Sequence, residues 1–344
     1  MFVYRKKHIG GAVSILFILL YVIYIKYSKS VFSDVVKRFN GGQPQTLEPK
    51  PYEVTIVTLY VPLGKFQKGG AGNFFDNDRY RKWMQTFGWL SNKLVAFLTD
   101  DDTYNYFKQI RSHLPPERTV LIRVNRSELG SFKDYDRVNQ IYSKPDYPKH
   151  HPNTVNANYS LTMNAKYDVL QMAMDLGHVN TRYIAWLDIG FFRTLLQENF
   201  RPKNDTFTLG VPFNFDDKKV AFSEVGGRDF HKNLSPWDYI KNNYVWVAGG
   251  YVLAEQSVIR KFIRAYKRSF QALLKDNMAS TDQQVIGSMY SPQMIKDQEV
   301  EIQTYRCSDG QFGLHGSDIQ YFCLAYVCKE AAELRRANTT LQLT

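Results

Sequence analysis

Hydrophobic positions along the chain fall into short uniform runs separated by longer amphipathic stretches. Val54–Tyr60 is a β-branched run closed by Pro62, the pattern of a buried strand. Asp78 to Leu90 places Tyr80, Trp83, Met84 and Phe87 on one helical face. Leu94–Thr99 predicts a second strand, residues 103–112 a helix, and Val120–Val124 a third strand. Residues 126–157 are polar and carry Pro and His, either a substrate-covering segment or partly helical. Tyr159 to Leu176 predicts one helix closed by Gly177. Tyr183–Leu187 is a fourth strand, with Asp188 at its end.

The second half is less regular. Leu209–Phe213 reads as a short strand, and Val245–Leu253 as a strand interrupted by Gly249-Gly250. A helix is predicted over Gln256 to Leu274, and a capped helix start over Ser280–Ile286. Strands alternating with helices predict an α/β fold with a mainly parallel, helix-flanked sheet. Ligands of such sheets bind beyond the carboxyl ends of the strands, where Asp100–Asp102 and Asp188 fall.

One hydrophobic run stands apart. Ile9 to Ile25 carries no charge, with Arg5-Lys6-Lys7 before it and Lys26 and Lys29 after it. Its length is at the short end of what crosses a bilayer as a helix. The leading basic cluster favours a cytoplasmic N-terminus. A cleaved signal peptide is the competing reading, but Ser28-Lys29-Ser30 is a poor cleavage site. The expected organisation is a tail (1–8), a transmembrane signal anchor (9–27), a stem with Gly41-Gly42 and Pro44 (28–52), a catalytic domain (53–335) and a tail (336–344). A short anchor suits thin early-secretory membranes, so a type II protein of the Golgi or endoplasmic reticulum is expected.

Charge and cysteine content fit that expectation. The net charge is +11 over 344 residues, but much of the excess sits in the anchor and stem. The body is only mildly basic, and a lumenal body is kept from nucleic acid, so no nucleic-acid partner is expected. Asn125, Asn158, Asn204, Asn233 and Asn338 head N-x-[ST] triplets. Three cysteines, Cys307, Cys323 and Cys328, allow one disulfide whose pair the sequence leaves open.

Three segments carry candidate chemistry. In Tyr183–Gly190 a buried strand ends in Asp188, and Gly190 lets the chain approach a ligand. A carboxylate at a strand end is equally consistent with a helix cap. Gly249-Gly250 allows a substrate to press against backbone, and Asp282 in Thr281-Asp282-Gln283 opens a following helix. A β-bulge and an ordinary N-cap are the competing readings. His315, between Gly313 and Gly316, is a candidate for metal or phosphate contact.

In this order these segments resemble the GT-A class of nucleotide-sugar glycosyltransferases. More narrowly, residues 53 to 330 resemble the HtrL/YibB-like family. That resemblance rests on Thr55–Thr58, Met163-Asn164-Ala165-Lys166, Ala185–Gly190, Gly249-Gly250, Asp282-Gln283 and His315-Gly316. It implies a GT-A-like fold and transfer of a sugar from a nucleotide-sugar donor to a glycan, lipid or protein acceptor. The alternative is a catalytically inactive carbohydrate-binding or scaffold relative.

By the resemblance, Asp188 takes the first acidic place of a D-x-D motif, and Asp282 is the acceptor-side carboxylate. Position 190 departs from the motif, being Gly where a second acid commonly binds metal. Asp188 and His315 are the expected ligands of Mn²⁺ or Mg²⁺. Alternatively, Lys166 and other basic groups neutralise the donor diphosphate without metal. Asn164, Lys166, Gly249 and Gly250 are expected at the donor, with Thr58 and Tyr60 near the nucleotide base.

Overall fold

The computed structural model describes residues 50–197 and 206–341. The apolar N-terminal run, most of the stem and the Asn204 triplet lie outside the described residues. No helix among the described residues is long and apolar enough to cross a membrane.

Val54–Tyr60 forms β1, buried at every position. A short hairpin follows, β2 (Phe66–Gln67) pairing antiparallel with β3 (Phe74–Phe75). Helix α1 spans Asn77–Trp89 and starts at Asp76, whose side chain accepts from the Arg79 amide at 2.9 Å. Strand β4 is Leu94–Leu98. Asp100 then caps α2 (Asp101–Ile110) by accepting from the Thr103 amide at 2.8 Å. That cap accounts for the first acid of the Asp100–Asp102 run. Strand β5 is Thr119–Arg123.

Residues 126–157 are partly helical, with two 3₁₀ turns and α3 (Tyr135–Tyr142). The helix expected over Tyr159 to Leu176 is two helices, α4 (Ala157–Asn164) and α5 (Lys166–Asp175). The Asn164 side-chain amide turns back onto the Ser160 carbonyl at 2.8 Å, competing with the backbone ladder where the two helices meet.

Strand β6 is Tyr183–Leu187, as expected. Residues 209–213 form no strand; Gly210 makes a single bridge to Glu53. Besides the β2–β3 hairpin and the final helix, β7 (Val220–Glu224), α6 (Pro236–Lys241) and, near the end, β9 (Ile302–Tyr305) were not anticipated. Between them run β8 (Val247–Glu255), α7 (Gln256–Lys275) and α8 (Asp282–Met289). The chain closes with α9 (Ser317–Leu341), which continues through residues expected as a tail.

Seven strands form one sheet in the order β5-β4-β1-β6-β8-β7-β9. Only β8 runs against its neighbours, pairing antiparallel with β6 and β7. Side chains alternate across the sheet. Val57, Leu59, Val95, Ile184 and Trp186 pack with α4, α5, α7 and α8 on one face. Val54, Ile56, Leu94, Ala185 and Leu187 pack with α1 and α9 on the other. Both faces are covered, which explains why the strands read as continuous apolar runs.

The chain leaves β1 toward β4 and β5, then returns to β1's other side as β6. This reversal is a topological switch point. A crevice opens beyond the carboxyl ends of strands at such a place. Asp188 stands on its rim.

Candidate functional site

Asp188 follows the last residue of β6. Its backbone N–H donates to the Gly250 carbonyl at 2.8 Å, and its Oδ1 accepts from Trp186 Nε1 at 2.6 Å. Thus β8's reversed direction brings Gly249-Gly250, near its start, beside the end of β6. Asp282 is the first residue of α8, where a carboxylate is favoured by the helix dipole. Lys166 is the first residue of α5, where an ammonium is not favoured. Its place is explained by its acceptors. Nζ donates to Asp282 Oδ2 at 2.8 Å and to the Gly249 carbonyl at 2.7 Å, and lies 3.9 Å from Asp188 Oδ1.

This ion pair is deep. The Lys166 and Asp282 side chains are 1% and 3% exposed, against 34% for Asp188. Burial pushes the Asp282 carboxyl above its ordinary value; Lys166 opposes the shift and Asp188 adds to it. Burial also works against the Lys166 charge, but Asp282 and Asp188 outweigh it and lift the ammonium above the ordinary lysine value. Lys166 is therefore a fixed cation under the two carboxylates.

Gly249 is required by this arrangement. A Cβ there would lie 2.0 Å from Asp282 Oδ2 and 3.0 Å from Lys166 Nζ. At Gly250 a Cβ would lie 3.1 Å from the Phe191 ring and 3.6 Å from Asp188 Oδ2.

Two cavities, both partly open to solvent, meet over this floor. Lys68, Phe75, Tyr159, Asp188, Arg193 and Phe322 line both. The first extends over Tyr60, Tyr80, Trp83 and Trp186 and is the more aromatic. The second holds Lys166, Gly249, Asp282, Gln283 and Asp318. An aromatic chamber thus joins a charged one, with Asp188 at the junction.

The residues expected from sequence separate into two groups. Asp188, Asp282, Lys166, Gly249 and Gly250 come together at this cleft, and Tyr60 lines its aromatic chamber. The others do not reach it. The Thr58 hydroxyl is buried and donates to the Leu187 carbonyl at 2.7 Å, tying β1 to β6. Asn164 is buried, donating to the Ser160 and Ser280 carbonyls and accepting from the Tyr266 hydroxyl, so its amide is fully used within the core. His315 is 70% exposed, has its Nδ1 3.4 Å from Asp309, and is absent from the walls of both cavities. Its flanking glycines shape a surface loop rather than present it to Asp188.

Mn²⁺ or Mg²⁺ does not fit the residues assembled here. Among the described residues no three His, Cys, Asp or Glu side chains are grouped to hold a metal ion. Asp188 has one oxygen engaged by Trp186 and lies beside the Lys166 ammonium. No second acid fits at Gly190, where a Cβ would lie 2.7 Å from Trp83 Cε3.

Sequence reasoning missed Lys68, Trp83, Tyr159 and Arg193. A signal for Lys68 was present: Gly69-Gly70-Ala71-Gly72 between Phe66 and Phe75 is a glycine-rich hairpin connection. Gly69 and Gly72 adopt φ of +76° and +80°, the conformation that favours glycine. The other three carried no local signal.

Comparison with known proteins gives three results. Residues 52–296 match the family described as "Bacterial protein of unknown function (HtrL_YibB)". Protein HtrL of Escherichia coli (strain K12) is 24% identical over 249 residues, covering 69% of this chain and 83% of that protein. The apo crystal structure of mouse xyloside xylosyltransferase 1 aligns over 79% of this chain and 94% of its own, at 11% identity and a TM-score of 0.35.

Proposed function

The chain belongs to the HtrL_YibB family, whose activity is unknown, and from that premise we propose that it is a GT-A-type glycosyltransferase. It transfers a sugar from a nucleotide-sugar donor to a glycan, lipid or protein acceptor. One observation carries the reading. Two carboxylates, Asp188 and Asp282, flank one buried lysine at a switch-point cleft whose two chambers differ in character. The aromatic chamber suits a nucleotide base and ribose, since flat rings offer stacking area. The charged chamber suits the acceptor and the reacting bond.

Each residue then has a role. Asp188, the more exposed acid, contacts the donor sugar at the junction of the chambers. Asp282 faces the acceptor. Its carboxyl binds a proton more readily than an exposed aspartate does, which suits a general base toward an acceptor hydroxyl. In a retaining reaction the same group stabilises positive charge on the sugar. Lys166 holds both acids in register.

The reading includes a lumenal body behind an N-terminal signal anchor. The uncharged run Ile9 to Ile25 supports it. So does the disulfide between Cys307 and Cys323, a bond that persists in oxidising compartments. Glycosidase digestion of the expressed protein should increase its gel mobility; an unchanged mobility would count against a lumenal body.

The decisive experiment is turnover of UDP- and GDP-sugars by the full-length protein. Asp188→Asn should lower the rate by two orders of magnitude or more, with the melting temperature unchanged. If no nucleotide sugar is bound or turned over, the carbohydrate-binding scaffold reading replaces this one.

A further inference from the structure

A nucleotide-sugar site must neutralise a diphosphate, and the residues around Asp188 do not make a metal site. The cleft does contain other positive charge. Lys68 and Arg193, from two separate chain segments, line both chambers. Each is carried over aromatic rings. Lys68 Nζ lies 5.3 Å from the Phe75 ring centre and 5.5 Å from that of Tyr159. The Arg193 guanidinium lies 4.7 Å from the Phe322 ring centre and 5.7 Å from that of Trp83.

The three cleft cations are not equivalent. Lys166 is spent on Asp282 and the Gly249 carbonyl. Arg193 reaches Asp318 through Nη2 at 3.2 Å and the Gly190 carbonyl through Nη1 at 3.5 Å. A guanidinium has five N–H donors, so three remain for a ligand. Lys68 makes no ion pair among the described residues, and a ring face does not use up an ammonium's three donors.

The position of Lys68 matters too. It sits on the glycine-rich β2–β3 hairpin, with its amide bonded to the Asn73 carbonyl at 3.0 Å. The hairpin leans on the cleft through Phe66, whose ring centre is 5.3 Å from that of Tyr159. Arg193 approaches from the segment after β6, three residues beyond Gly190. A group bridging the two chambers beside Asp188 therefore lies among walls that carry both cations.

We propose that Lys68 and Arg193 bind the diphosphate of the donor, and that the cleft takes a nucleoside diphosphate without a divalent cation. This rests on the glycosyltransferase reading and assigns its leaving-group site. The two monocations match the two negative charges of the donor's diphosphate diester, and they lie where the third charge develops as the nucleoside diphosphate departs. The Trp83 ring has two consequences here: it fills the space a second acid needs at 190, and it supports the Arg193 guanidinium.

The test is calorimetric titration of the full-length protein with UDP, GDP and inorganic pyrophosphate, in EDTA and again with Mn²⁺. A nucleoside diphosphate should bind in EDTA, with an affinity within about threefold of that in Mn²⁺. Lys68→Ala and Arg193→Gln should each weaken it by about tenfold or more, the effect expected of a lost charge-assisted hydrogen bond. Lys68→Arg should restore most of the loss, and the unliganded melting temperature should not move with Lys68→Ala. Binding that requires Mn²⁺, or that survives both substitutions, overturns the assignment and leaves the transferase reading standing. No nucleotide binding in either buffer defeats both.

Discussion

Replacing Lys166 by Met removes the cation from under two carboxylates while keeping a similar volume. At 2.8 Å, the Asp282 attraction is about 6 kcal/mol at an effective dielectric of ~20. Burial of both groups offsets much of this. The measurable quantity is the deficit left when one partner goes, about 3–5 kcal/mol for a buried pair. Asp188 contributes less, because it is partly exposed and 3.9 Å away. Lys166→Met should therefore lose about 3–5 kcal/mol in urea unfolding near neutral pH.

The pH dependence gives a second check. Burial raises Asp282, so folding favours its protonated form. The stability this group contributes is present in acid and is lost as pH rises through its raised value. Lys166 opposes that rise, so without it Asp282 goes higher still. The deficit of Lys166→Met should then be smaller at about pH 5 than at about pH 8. Lys166 itself is raised above the ordinary lysine value, so it adds no slope in this window. Adding Asp282→Asn should recover most of the loss, leaving about 1–2 kcal/mol for the unpaired Gly249 carbonyl. Equal deficits at both pH values, together with no recovery in the double variant, would refute the reasoning.

Other outcomes follow from the same geometry. Gly249→Ala places a methyl against Asp282 and Lys166, and should reduce turnover by at least tenfold, with smaller effect on the melting temperature than Lys166→Met. Gly190→Asp drives its side chain into Trp83. It should cost about 1–3 kcal/mol by thermal melting and create no Mn²⁺ dependence. Reducing the Cys307–Cys323 disulfide, which spans 16 residues, should cost about 3 kcal/mol by loop-closure entropy and loosen the start of α9. Cys328 is free and buried in the core, so mild alkylation should label only the reduced pair.

The first half of the fold was legible because its strands are buried on both faces. Val54–Tyr60 and Tyr183–Leu187 match the structure residue for residue, since only a doubly covered strand carries such an uninterrupted apolar run. Strand β7 was missed because Val220–Glu224 mixes Ser and Glu into its run and follows a charged turn. The final helix was missed because its hydrophobic positions are spread around it rather than gathered on one face. In the site, Asp188 and Asp282 were legible from their places at element ends. Lys166 was read as a candidate at the donor, but its buried ion pair was not legible, because its partner stands 116 residues away in sequence. Trp83 reaches the cleft by standing against Gly190 and Arg193, a tertiary contact with no local signature.

The contact between Trp83 and Gly190 bears on how such a chain can change. An aspartate at 190 is blocked while the indole stands 2.7 Å from where its Cβ must go. Shrinking Trp83 first removes the ring that Phe75, Tyr80 and Arg193 all lean on. Either order of substitution passes through a weakened protein, so the two positions are coupled as a pair. Descendants of this chain should keep both residues or exchange both, and a tryptophan at the first position should forecast a glycine at the second.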